Sequence, residues 1–139
     1  MMKRILELME QKNHYLEKFY SINETSIQLF LEDRFEIIND FYDQRENILE
    51  ILKYIDEEIS RVSQNTRSDN LPDLEKLKEA LKVKDIFVQK IIEQDMTILS
   101  CIESAKNSII KELRDVKKGQ KIVSAYKTPS FNKKLEEEI

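Results

Sequence analysis

Glycine and proline are nearly missing: the 139 residues include one Gly, at 119, and two Pro, at 72 and 129. Average usage would supply roughly 10 and about 7, so the tight turns of a β or α/β fold have few residues to make them. A single glycine also excludes a glycine-rich phosphate loop. Tryptophan is absent, and the lone cysteine, Cys101, excludes an intramolecular disulfide and fits a reducing compartment. The lone histidine, His14, excludes a di-metal bundle centre, which needs two Glu-x-x-His motifs, and reads as a helix-surface residue. No apolar run approaches the roughly 18 residues of a membrane span, and Glu7 and Glu10 arrive too early for a secretory apolar core. These absences predict a cytoplasmic protein with no membrane insertion, no cofactor and no metal site.

What is present is charge and helical spacing. With 36% charged and 40% apolar residues, the composition suits helices that each bury one stripe. Residues 1–60 carry seven Lys or Arg against 14 Asp or Glu, net −7, whereas residues 106–127 carry seven against two, net +5. An acidic first half argues against nucleic-acid binding, which relies on neutralising phosphates. Lys117, Lys118 and Lys121 in the basic stretch would complement the dipole at a helix C-terminus.

Apolar spacing predicts an all-α fold, an elongated antiparallel bundle of three long helices followed by a flexible or short-helical C-terminal tail. The bundle is expected over residues 1–118, with helices at about 1–31, 34–64 and 72–118, and the tail over 119–139. Met1, Ile5, Leu8, Tyr15, Phe19, Ile22 and Leu29 set the first stripe. Asp33-Arg-Phe-Glu36 then has the N-cap and N3 chemistry of a capping box, which places a break near residues 31–34. The second stripe fades in the polar run 63–70, and Pro72 suits the first turn of the next helix. In the third, Leu74, Leu81, Val88, Asp95, Ile102, Ile109 and Val116 hold one heptad position. Its stripe thins near Lys82 to Lys84, where a bend fits, and Gly119 is expected to close it. About 45 helical residues would reach roughly 70 Å at 1.5 Å per residue. Extending past its partners, this helix leaves apolar residues for another chain, a homodimer partner or a client, with Ile98, Ile102, Ile109, Leu113 and Val116 as groove candidates.

Two polar residues interrupt the stripes. Arg45 lies between Tyr42 and Leu49, and Asp95 between Val88 and Ile102. A turn centred near residues 68–70 pairs positions whose numbers sum to about 140, which sets Arg45 against Asp95. The expectation is a partly buried structural ion pair that selects one helix register. No catalytic residue is assigned.

The most specific stretch is 109–127, which reads as a helix, a Gly119 stop and a short amphipathic segment ending in Tyr126. Asp33 to Glu36 at the first junction, Arg45 followed by Ile48-Leu49-Glu50-Ile51-Leu52, and Ile92-Glu-Gln-Asp95 precede it in order. Over nearly the whole chain this arrangement resembles the FlgN/FliT-like flagellar export chaperones. The resemblance implies a non-enzymatic cytoplasmic chaperone of type III flagellar secretion. Such a chaperone holds the C-terminal helical segment of a hook-associated or filament-cap protein and delivers it to the export gate. It further implies that Tyr126 docks on the cytoplasmic domain of that gate. The family places a glycine a few residues beyond the tyrosine, where this chain has Lys127-Thr-Pro-Ser-Phe131. A competing expectation is a self-associating coiled-coil adaptor. A remote one comes from Tyr54-Ile-Asp-Glu-Glu-Ile-Ser-Arg61, eight residues that resemble helical chorismate mutases.

Overall fold

The computed structural model describes residues 2–64 and 70–125. They form three α-helices, α1 (Met2–Leu31), α2 (Ile38–Ser63) and α3 (Leu71–Ala125), and no strand occurs among the described residues. The chain divides into two units, Met1–Cys101 and Ile102–Ile139.

The first unit is an antiparallel bundle built from α1, α2 and the part of α3 up to Cys101. Lys12 Nζ meets Asp56 Oδ1 at 2.7 Å, which sets α1 antiparallel to α2. Asn13 Nδ2 donates to the Ala80 carbonyl at 3.1 Å and Asn23 Nδ2 to Gln94 Oε1 at 3.1 Å, so α3 runs parallel to α1. The apolar stripes fill the space between in layers. Ile5, Leu8 and Met9 of α1 close on Ile55 and Val62 of α2, with Leu77 and Ala80 of α3 against them. Leu16 and Phe19 close on Ile48 and Leu52, with Phe87 and Ile91 covering that layer. Each fully buried Leu, Ile or Phe contributes roughly 1.5–3 kcal/mol, and this packing, more than helix propensity, holds the helices in place.

The junction between α1 and α2 corrects the expected capping box. Asp33 adopts φ 59°, in the left-handed region. The Arg34 N–H donates to the Leu29 carbonyl at 2.9 Å and the Asp33 N–H to the Phe30 carbonyl at 3.1 Å. This pair of bonds makes a Schellman motif that satisfies the last carbonyls of α1, with Asp33 in the seat usually held by Gly. Asp33 therefore ends α1 and does not start α2. The cap position of α2 falls to Ile37, which has no side-chain cap, so the helix begins at Ile38 and not at residue 34. Glu36 turns to Arg34, whose Nε lies 3.1 Å from Oε1. Its own backbone N–H, followed by Arg34, holds the Glu36 pKa below the ordinary carboxylate value. Aromatic packing secures the turn. Phe30 stacks on Phe35 at 5.0 Å between centroids and meets Phe41 edge-on at 5.3 Å.

α3 starts where Asn70 Oδ1 accepts the Asp73 N–H at 3.3 Å, an N-cap bond, with Pro72 in the first turn as expected. The helix continues unbroken past Lys82 to Lys84, and it also passes through Gly119, correcting the expected stop. Gly119 has no positive φ. A helix-interior glycine costs about 1 kcal/mol relative to alanine, too little to end a helix flanked by Lys117, Lys118, Gln120 and Lys121. α3 is described up to Ala125, and Tyr126 and Pro129 lie outside the described residues.

Candidate functional site

Each unit exposes an apolar surface on its described residues. The first is a cleft of about 250 Å³ between α2 and α3 within the first unit. Leu16 and Phe19 of α1 and Leu52 of α2 form its floor, and Leu49, Val88 and Ile92 form its walls. Antiparallel pairing of α2 with α3 produces this arrangement, because residues 45, 49 and 52 face 95, 92 and 88. Leu49 is 51% exposed and Ile92 47% exposed, so the walls present hydrocarbon to solvent.

Arg45 and Asp95 close one end of the cleft. Arg45 Nη2 donates to Asp95 Oδ1 at 2.9 Å, and the two side chains are 17% and 39% exposed. The guanidinium also lies over the rings of Phe19 and Phe41, 4.7 and 5.0 Å from their centroids. It is thus held by two π faces and a carboxylate, a desolvated setting that suits Arg better than Lys. Removing Asp95 would leave that charge partly buried without its partner, which gives the pair its power to select register.

One residue earlier on α3, Gln94 makes a second polar connection. Its Nε2 donates to the Tyr20 carbonyl at 3.0 Å and to Glu24 Oε1 at 2.9 Å, while its Oε1 accepts from Asn23. Asn23 is fully buried, and its Oδ1 has no hydrogen-bond partner. Sequence reasoning missed this network. The available signal was polar residues at stripe positions, with Asn23 four residues after Phe19 and Gln94 four before Ile98.

The second surface belongs to the second unit. Ile109, Leu113 and Val116 recur at i, i+4 and i+7 on α3 and are 58%, 59% and 55% exposed. Ile102 is half-buried. Ile98 departs from its expected place in the groove: it is 3% exposed, in the core of the first unit, and offers nothing to a client. Lys106, Lys111, Arg114, Lys117 and Lys118 accompany the exposed row. Tyr126 lies outside the described residues.

Besides the interhelical contacts of Lys12 and Asn13, polar pairs also form within single helices. Arg61 donates to Glu58 at 3.2 and 2.8 Å, which lowers the Glu58 pKa and raises that of Arg61. His14 packs edge-on against Tyr15 at 5.4 Å. No group of three metal-ligating side chains occurs among the described residues, and none of their helices is long and apolar enough to cross a membrane. No family model, curated protein or solved structure matches the chain.

Proposed function

We propose that the chain is a non-enzymatic chaperone of the FlgN/FliT type. It works in the cytoplasm, holds the C-terminal helical segment of a hook-associated or filament-cap protein, and hands it to the export gate. The observation that carries this reading is the exposed row Ile109, Leu113 and Val116 on α3, in a chain whose first unit already has its own core. Anchors at i, i+4 and i+7 are the pattern by which one helix seats another. A client segment that folds on this row gains the burial it lacks when free, at the cost of ordering its backbone. Ile102, half-buried at the start of the row, would complete the contact. Tyr126, outside the described residues, is assigned to gate docking on the sequence resemblance alone.

Calorimetric titration with C-terminal peptides of hook-associated and filament-cap proteins tests this directly. Micromolar binding by one class is expected, weakened about tenfold or more by Leu113→Glu. Tyr126→Ala should leave client affinity unchanged while lowering affinity for the gate's cytoplasmic domain. Absence of binding by either peptide class at about 100 µM would sink the chaperone reading, and unchanged gate affinity would sink the role of Tyr126.

A further inference from the structure

The charges beside the exposed row of α3 are sorted by side. At about 100° per residue, Lys106, Arg114, Lys117 and Lys121 lie about 50–130° to one side of the centre line through Ile102, Ile109, Leu113 and Val116. With Ile110 between Lys106 and Arg114, they follow one another at helical spacing and form a continuous basic edge about 23 Å long. Glu112 and Asp115 lie about 70–130° to the other side, beside the small residues Ala105 and Ser108. Glu103, one turn before Lys106, is the single acid on the basic side over residues 102–121. Lys111 and Lys118 stand on the back of the helix, away from the row. The charges of both edges are exposed. Among the described residues no ion pair uses Lys106, Arg114, Lys117 or Lys121. In the first unit, by contrast, Lys12 and Arg45 each close on an acid of another helix.

We infer, resting on the client reading above, that the segment seated on this row is an amphipathic helix with one acidic edge. Its Asp or Glu residues line the side of its apolar stripe that faces Lys106, Arg114, Lys117 and Lys121, and acids are missing from the side that faces Glu112 and Asp115. The apolar anchors alone would accept any amphipathic helix, because burial of hydrocarbon is non-directional. The charged edges supply the selection. Single exposed ion pairs contribute little, whereas several along one edge act together, and the basic edge draws an acidic segment in before contact. A segment of equal apolarity with a basic edge meets like charge and is rejected. Direction is selected as well: reversing the bound helix exchanges its two edges and sets its acids against Glu112 and Asp115.

Calorimetric titration of the full chain with three synthetic helices of about 18 residues, about 27 Å long, tests the proposal. The peptides share one apolar stripe and carry Glu, Gln or Lys along one edge of it. In about 50 mM NaCl the Glu-edged helix should bind about tenfold tighter than the Gln-edged one, and the gap should shrink to about twofold in about 0.5 M NaCl as the charges are screened. Lys106→Glu combined with Lys117→Glu should weaken the Glu-edged helix about tenfold and strengthen the Lys-edged one. Lys111→Glu combined with Lys118→Glu makes the same change in net charge on the back of the helix, and should cost about threefold or less. All four lysines are exposed, so circular dichroism should show wild-type helicity. Equal losses from the two double variants would trace the effect to net charge and overturn the edge. So would equal binding of the three peptides at low salt, or a dimer in light scattering that Leu113→Glu dissolves, which would give the row to a second copy. A hook-associated or filament-cap peptide weakened by Leu113→Glu but not by the Lys106/Lys117 double variant overturns the acidic edge and spares the chaperone reading. Binding of the Glu-edged helix alone, with neither natural peptide class bound, sinks the chaperone reading and upholds the acidic partner.

Discussion

The two units of this chain use apolar residues for opposite ends. In Met1–Cys101, Phe30, Phe41 and Ile98 are at most 3% exposed, and charged groups are tied across helices. In Ile102–Ile139, Ile109, Leu113 and Val116 sit more than half exposed on one helix among basic residues. Burial in the first unit supplies folding energy, so its side chains are committed. Exposure in the second leaves the same hydrocarbon available for an intermolecular contact, and its contribution to the stability of the single chain is small.

The largest effect that would sharpen this contrast is Phe41→Ala. Loss of a fully buried ring that touches Phe30 and the Arg45 guanidinium should cost about 3–5 kcal/mol in urea denaturation. Leu113→Ala should change the same measurement by no more than about 0.5 kcal/mol. Equal costs would break the division between committed and available residues.

Asp95→Ala comes next. A fully buried pair that loses one member costs about 3–5 kcal/mol, but Asp95 is 39% exposed, so water recovers part of that and about 1–2 kcal/mol is expected. The double change Arg45→Met with Asp95→Ala should cost less than the two single changes added together. Strict additivity would show that the pair has no coupling.

Asp33→Gly should raise stability by about 0.5–1 kcal/mol, since glycine occupies the left-handed cap without side-chain strain. A loss in that variant would show that the Asp33 side chain has a role beyond φ. The smallest global effect belongs to Gly119→Ala. Nothing lies within 4 Å of the added Cβ. Helix formation there should gain about 1 kcal/mol, read as roughly fivefold slower amide exchange around residue 119 with an unchanged global denaturation midpoint. A shifted midpoint would tie the second unit to the folding of the first.

Helix number and pairing were legible because apolar spacing and a single polar turn constrain them strongly. Numbers summing to about 140 were enough to set Arg45 opposite Asp95, which meet at 2.9 Å. Asp33 was misread because a short acidic side chain serves equally as an N-cap and as a left-handed C-cap residue, and only φ distinguishes the two. Gly119 was misread because its cost of about 1 kcal/mol is a bias that neighbouring helix formers outweigh. Asn23 and Gln94 occupy stripe positions, but their partnership becomes visible only when α1 and α3 are set parallel. The cleft was likewise invisible in the stripes: Leu49, Val88 and Ile92 follow core spacing, and only the packed geometry leaves them half open.

Gln94 and Asp95 are neighbours on α3, yet one bonds to α1 and the other to α2. Together they fix the angular setting of the helix, much as two flats on a shaft fix a gear. Adding one residue within α3 ahead of them would turn both by about 100°, swinging Gln94 away from Asn23 and Asp95 away from Arg45. Adding seven would turn them by only about 20°, although it would shift them along the axis by two turns. Length changes in this protein should therefore gather in the polar stretch around residues 65–69, and the run from Leu71 to Asp95 should keep its length among its descendants.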